Sequence, residues 1–546
     1  MRSFLLRMVA CGLMGTMCLS GAEAIGPRKA DRGKMLGREI GVLLADPAVA
    51  RDHWGIAVTA MDGAPIYSLN EGQLFQPASN AKLYTTAAAM ALLGPTTTFE
   101  TKIVARGVFG GAQTLTGDLV LVGAGDANLS GRDIPYVAPA LRPKPAPGAP
   151  ALPEINPLRY LEAMAEQVAK TGLKVVNGDV VGDDTLFPWE PYAQDWSIDD
   201  TVWGYGAPVS ALTINDNQIK VTVTPAAVEG QPATVMVDPA VPSYYTLDVS
   251  VTTGAVKSGS HVQMERVLGS KVLRVYGAIA VDAQPDEEEV AIHDPAEYAA
   301  VALKGMLEKR GIVVTGKARA THRISTEAEG FMTQMKKPGQ EQAVVSGGLQ
   351  EGACMSAVDI ARKKTLASHS SPTLLEDVTV TNKVSQNLHA ELWLHHLGKT
   401  TFCGDGSTVA GARLVRAFLE HAGVDKDDFV FFDGSGLSGH DLVTPRATAR
   451  LLQYASTQPW FADWKKSLPV GGEDGSLAER FGKAPLKDHV FAKTGTLGEA
   501  RALSGYVECA SGKTLIFSIM VGNHMPQTTK DRETMDNIVA AIAAAN

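Results

Sequence analysis

Cysteine is scarce. The chain of 546 residues holds five, too few for a disulfide-dense scaffold, so its stability has to come from a buried apolar core. No run of five or more basic residues occurs, and Asp plus Glu outnumber Lys plus Arg by 59 to 50. That balance excludes nonspecific nucleic-acid binding, which needs clustered positive charge. Past the first residues there is no apolar stretch approaching the roughly 20 residues that span a bilayer. A polytopic membrane protein is excluded and no transmembrane anchor is expected, although peripheral contact with a membrane surface stays open. What is present is an ordinary globular mixture, 45% hydrophobic and 20% charged, which rules out a disordered or fibrous chain. At about 150 residues per domain, the length corresponds to two to four domains.

Residues 1–24 carry Arg2 and Arg7, an apolar core from Met8 to Leu19, and Ala22-Glu23-Ala24. This is the layout of a secretory signal peptide with an A-x-A cleavage site. The expected location is therefore an oxidising extracytoplasmic space, a bacterial periplasm. After cleavage Cys354, Cys403 and Cys509 remain. Three is odd, so at most one disulfide forms and the pairing stays open.

Gly55–Ala60 and Ile66–Leu69 read as a hairpin, followed by an alanine-rich helix from about Ser79 to Leu93 that stops at Gly94-Pro95. From about Phe99 the texture changes to short alternating strands broken by glycines. Residues 135–157 are proline-rich and read as an extended loop. Helices are expected at Pro157–Lys170 and Pro295–Arg310, each followed by a short β-like run and a glycine. The pair reads either as a weak internal repeat or as common helix-to-strand chemistry. Gly330–Arg362 is a polar excursion. Residues from Pro372 to about 398 form one long helix-forming stretch. Two strands joined at Ala510-Ser511-Gly512 and a C-terminal helix close the chain.

Three short motifs follow in order: Ser79-Asn80-Ala81-Lys82, Ser385-Gln386-Asn387 and Lys493-Thr494-Gly495, the last followed by Thr496. Residues three apart on a helix share a face, so Lys82 can set its amine beside the Ser79 hydroxyl. Serine is a weak nucleophile and needs an adjacent base. A lysine of ordinary pKa is a poor base at neutral pH, but burial or a neighbouring cation lowers it, and Lys493 is a candidate cation. Asn387 suits a substrate amide, and Ser385 a proton relay to a leaving amine. The helix N-terminus at Ser79 and the backbone of Thr496 suit an oxyanion. Lys493, Thr494, Gly495 and Thr496 suit a terminal carboxylate. Together the motifs mark serine acyltransferases of the penicillin-binding type. Ser68-Leu69-Asn70, Lys170-Thr171-Gly172 and Lys257-Ser258-Gly259 match single motifs, but only Ser385 and Lys493 keep the order with a strand pair behind them. His389, His395 and His396 lack H-E-x-x-H spacing, so no metal is expected. Gly434-Ser435-Gly436 lacks the spacing of a nucleophile elbow, and Asp433-Gly434 reads as a turn beside the catalytic domain.

The stretches GDLVLVGAGDANLS, NGDVVGDDTLF, YGAPVSALTINDN, TNKVSQNLHAELW, DGSGLSGHDLVTP and AKTGTLGEARALSGYV extend the likeness across nearly the whole mature chain. The sequence resembles the class C low-molecular-mass penicillin-binding proteins, the D-alanyl-D-alanine carboxypeptidase/endopeptidase family. The resemblance implies an α+β fold: a transpeptidase/β-lactamase-like domain, with an antiparallel sheet flanked by helices, interrupted by inserted β-rich domains. On that reading residues 25–98 and 346–546 form the transpeptidase-like domain, and 99–345 the insertion with a nested smaller domain at about 126–200. It implies an acyl-enzyme on Ser79, with Lys82, Ser385, Asn387 and Lys493 catalytic, peptidoglycan peptides as substrate, β-lactams as inhibitors, and no cofactor. It also implies that Asp183, with Phe187, holds the free amine of a diamino acid in the stem peptide; a hairpin turn with a buried phenylalanine is the plain alternative. A β-lactamase or esterase on the same domain would need a deacylating water, for which the sequence carries no signature. A non-catalytic peptidoglycan-binding protein would not need the complete motif set.

Overall fold

The computed structural model describes residues 29–111, 113–144, 155–242, 244–337, 339–347, 363–400, 404–526 and 528–546. The signal-type segment, Cys354, Cys403 and much of the proline-rich loop fall outside them, as does the end of the polar excursion. Cys509 is buried with a free thiol.

Both ends of the chain build one five-stranded antiparallel sheet. Its order is Val490–Leu497, Ala500–Glu508, Thr514–Gly522, His53–Ala60, Pro65–Leu69. The strands carry apolar residues on both faces, as a sheet between two helical layers requires. Leu515, Phe517, Ile519 and Val521 face one core with Ile56, Val58 and Leu36 and Ile40 of the Lys29–Leu44 helix. Ile516 and Met520 face the other, with Ala57, Leu83, Tyr84, Trp393 and Phe418. The Lys29–Leu44 helix packs beside the terminal helix Lys530–Ala544. The opposite face carries the wholly buried Ala81–Met90 stretch of the Ala81–Leu92 helix, whose alanines allow close approach.

The intervening chain forms a seven-stranded sheet and two three-stranded ones. The two helix-and-strand units noted in the sequence lie side by side. Helix Arg159–Lys170 leads to Val175–Asn177 and helix Pro295–Lys309 to Val313–Val314, and these two strands pair in parallel. The strands that follow, Val180–Pro188 and Ala318–Arg323, pair in parallel as well. Asp294 caps the second helix by accepting from Glu297 N.

The stretch read as one long helix is two, Leu374–Lys383 and Asn387–Thr400. They break at Ser385, which takes a left-handed φ of 61°. A serine there is strained, and the break aims its side chain and that of Asn387 at one point.

Candidate active site

Ser79 lies in the single turn Ala78–Asn80 that opens the Ala81–Leu92 helix. Asn80 is fully buried and pins the turn to the sheet: its Nδ2 donates to Ser504 Oγ at 2.8 Å, and Ser504 donates on to Ser518 at 2.9 Å. Ser504 is the register partner of Lys493, so the same strand pair fixes the first and third motifs. Gly495 also has to be glycine: a Cβ there would stand 2.7 Å from Pro77 O and 3.0 Å from Ser79 N.

One site holds Ser79, Lys82, Ser385, Asn387 and Lys493 together. Lys82 Nζ lies 2.9 Å from Ser79 Oγ and 2.6 Å from Asn387 Oδ1. Lys493 Nζ donates to Ser385 Oγ at 2.8 Å and to Thr494 O at 2.9 Å. Thr494 Oγ1 is 2.6 Å from Ser476 Oγ. A cleft of about 350 Å³ opens over them, lined by Ser79, Ser385, Asn387, Thr496, Asp200 and Tyr205, among others. The motif strand Val490–Leu497 is the edge of its sheet, which leaves a side open for an extended peptide.

Burial drives the electrostatics. It pushes Lys82 down to about 7, against the opposing pull of Asp433, Glu391 and Asp441. The neighbouring cation expected from sequence acts the other way round: Lys493 is driven well below its usual range by burial first and by Lys82 second.

Asp183 is not in this cleft. It sits on strand Val180–Pro188, where its carboxylate accepts from Arg106, from Thr185 N and from the Thr185 hydroxyl. Phe187 is buried against His395 and His396. The strand register with Val122 and Thr321 turns Asp183 to the inserted sheet. The insertion reaches the cleft through Asp200 and Tyr205 instead. Tyr205 OH donates to Asp200 Oδ1 at 2.9 Å, and Tyr205 O accepts from Asn387 Nδ2 at 2.9 Å. A carboxylate and an aromatic in W-S-I-D-D-T-V-W-G-Y were the available signal, but nothing local marks them as cleft residues.

The three histidines have protein partners. His389 lies between Asp216 and Asp377, His395 is bonded to Gly406 O and His396 to Gly125 O. Among the described residues no cluster suits a metal ion, and no helix is long and apolar enough to cross a membrane.

A helix-borne serine–lysine pair, a serine–asparagine wall and a K-T-G edge strand define a serine acyltransferase of the penicillin-binding class. Comparison with known proteins narrows the class. The D-Ala-D-Ala carboxypeptidase 3 (S13) family matches residues 36–330 and 318–545. A D-alanyl-D-alanine carboxypeptidase from an Actinomadura species is 32% identical over 529 residues, 95% of this chain and 86% of that one. The D-alanyl-D-alanine carboxypeptidase DacB of Haemophilus influenzae is 23% identical over 83% of this chain and 81% of its own. The crystal structure of penicillin binding protein 4 from Haemophilus influenzae superposes with a TM-score of 0.70 at 21% identity, over 91% of this chain and 97% of that one. The chain belongs to the D-Ala-D-Ala carboxypeptidase 3 (S13) family and is a serine-type DD-peptidase of peptidoglycan.

Proposed function

We propose that this DD-peptidase works in the periplasm as both carboxypeptidase and endopeptidase, through an acyl-enzyme on Ser79. The observation that carries the reading is the convergence of Lys82 on Ser79 and Asn387, and of Lys493 on Ser385, in one cleft. The signal-type N-terminus supports the compartment.

Lys82 takes the Ser79 Oγ proton while the oxygen adds to the carbonyl carbon of the penultimate D-alanine. The backbone N–H groups of Ser79 and Thr496 hold the oxyanion. The C–N bond then breaks, and the proton passes by way of Ser385 to the leaving amine. That amine belongs to free D-alanine in the carboxypeptidase reaction and to the crosslinked neighbour in the endopeptidase reaction. Water attacks the ester, Lys82 again serves as base, and Ser79 is freed. Lys493, Thr494 and Thr496 receive the terminal carboxylate, with Gly495 allowing close approach. Asn387 orients the acyl-side amide. The amine of a stem-peptide diamino acid is assigned to Asp200 beside Tyr205, in place of Asp183.

The β-lactams mimic the acyl bond and are expected to acylate Ser79. Intact-protein mass after benzylpenicillin treatment, wild type beside Ser79→Ala, tests this. A stable adduct on wild type alone supports the reading, and muropeptide digestion then reports the bond cut. Penicillin consumed without an adduct favours a β-lactamase. An outcome with no adduct and no consumption removes the assignment of the acyl-enzyme to Ser79.

A further inference from the structure

Beneath Lys82 lies a turn outside the three motifs. Lys82 Nζ is 2.7 Å from the carbonyl oxygen of Ser435, in addition to Asn387 Oδ1 at 2.6 Å and Ser79 Oγ at 2.9 Å. A neutral amine carries two N–H bonds and one lone pair, set tetrahedrally around the bond to Cε. The Ser435 carbonyl and the Asn387 side-chain oxygen can only accept, so they take the two N–H bonds. The lone pair is left for the one neighbour with a proton to give, the Ser79 hydroxyl. When that proton arrives, the ammonium has three N–H bonds and three acceptors.

The Ser435 carbonyl is held firmly from below. The buried Asp433 carboxylate accepts from Ser435 N at 3.1 Å, Gly436 N at 2.7 Å, Ser438 N at 2.7 Å, Ser435 Oγ at 3.2 Å and the Trp196 indole at 2.9 Å. Glu391, 1% exposed, accepts from Gly434 N with its two oxygens at 3.1 and 3.0 Å. Thr85, on the same helix as Lys82, donates to Gly434 O at 2.8 Å. Gly436 has a φ of 82°, and a Cβ there would stand 1.8 Å from Ala78 O, so the turn packs directly on the residue before the nucleophile.

We propose that Asp433 and Glu391 are positioning residues of the reaction: they hold the 433–436 turn so that the Ser435 carbonyl turns the Lys82 lone pair onto Ser79. This rests on Ser79 and Lys82 being nucleophile and base. The charged or titratable groups facing Lys82 are Asp433 and Asp441 from the turn region, Glu391 from the Asn387–Thr400 helix and Lys493 from the edge strand. Burial raises Glu391 to about 8 and Asp441 well above the usual carboxylate range, so near pH 7 Asp433 is the main charge opposing the effect of burial on Lys82, and removing it lets the amine lose its proton at a lower pH.

The test is the rate of Ser79 acylation by a fluorescent penicillin across pH, with the melting temperature alongside, for the mature chain and its Asp433→Asn and Glu391→Gln variants. The expected result is an acid limb moved to lower pH in Asp433→Asn and unmoved in Glu391→Gln, with a plateau rate lowered about tenfold or more in both, since a misaligned base costs rate even when deprotonated. Wild-type plateau and limb in both variants overturn the proposal. So does a loss equal at every pH, with an unmoved limb, that tracks the melting temperature. Should Asp433→Asn fail to fold, Glu391→Gln is judged by its plateau rate against its melting temperature, and a wild-type plateau there overturns the proposal. A wild type that is not acylated at all overturns the nucleophile assignment, and this proposal with it, and is told apart from variant-specific failure by that control.

Discussion

Lys82 and Lys493 are both fully buried, and each amine is set on a different serine: Lys82 on Ser79 at 2.9 Å and Lys493 on Ser385 at 2.8 Å. Two buried amines in one site cannot both carry charge cheaply. On the proposed mechanism their protonation states divide the labour of the cleft, one as base and the other as carboxylate receptor.

For Lys82 the sign is fixed by its role. Burial lowers it to about 7, so the lone pair is free above that pH and occupied below. The value of kcat for a peptide ending in D-Ala-D-Ala is expected to rise with pH and level off above about 7. Lys82→Arg, which stays protonated, should lose about 10²- to 10⁴-fold in kcat, the usual contribution of a positioned base. A pH profile of the two proteins checks both points, and a flat profile in wild type would remove Lys82 as the titrating base.

Lys493 gives a prediction about binding instead. Burial and the charge of Lys82 push it well down, and a substrate carboxylate restores its proton. Binding is therefore tightest at low pH and weakens as pH rises, so KM for a free C-terminus should climb with pH. A C-terminally amidated peptide should show no such climb. Lys493→Met should raise KM for the free acid by about tenfold to 10²-fold, the range of a lost charge-assisted hydrogen bond. Comparing KM across pH for the acid and the amide decides it.

Asp200 and Asp183 separate by substrate. Asp200 lines the cleft with Tyr205, whereas Asp183 is engaged by Arg106 and Thr185 on the inserted sheet. Asp200→Asn is expected to lower kcat/KM for stem peptides with a free side-chain amine by about tenfold or more, and to leave the N-acetylated peptides nearly unchanged. Asp183→Asn should show no such discrimination. Equal behaviour of the two variants toward both peptides would leave the amine without an assigned partner.

The division between what the sequence reveals and what it hides follows from distance along the chain. Ser79 and Lys82 are legible because helical spacing alone puts them on one face. Lys493 is legible because the strand pair behind it announces a sheet. The break at Ser385 is not, since neither glycine nor proline marks it and a left-handed φ of 61° is one a serine rarely takes. Gln386, in the middle of that motif, has a use the motif does not disclose: its Nε2 reaches Asp216 Oδ2 of the insertion at 3.3 Å. Asp200 and the Asp433 turn meet the cleft only because the insertion and the C-terminal part fold around the same helix. No local pattern carries that information, and the neighbouring Asp183 had the more suggestive one.

The tie between the insertion and the S-x-N helix carries its own pH signature. His389, fully buried, has Nε2 3.2 Å from Asp216 Oδ1 and Nδ1 2.8 Å from Asp377 Oδ1. Burial disfavours its charge, but Asp377 and Asp216 more than offset that and raise it to about 9. A group raised on folding contributes stability that is complete below its unfolded value of about 6.5 and is lost as pH rises through the folded value. The shift corresponds to about 3 kcal/mol at most. Asp216, held down by Arg132 and His389 against the cost of its own burial, works in the opposite sense. Its contribution is present above the ordinary aspartate range and fades in acid. The melting temperature of wild type should therefore fall between about pH 6.5 and 9 more steeply than that of His389→Gln, and the gap between the two, widest just below about pH 6.5, should close toward the alkaline end. A gap that stays constant over that window would mean His389 is held neutral in the fold, and that the tie is a hydrogen-bonded one without the charge.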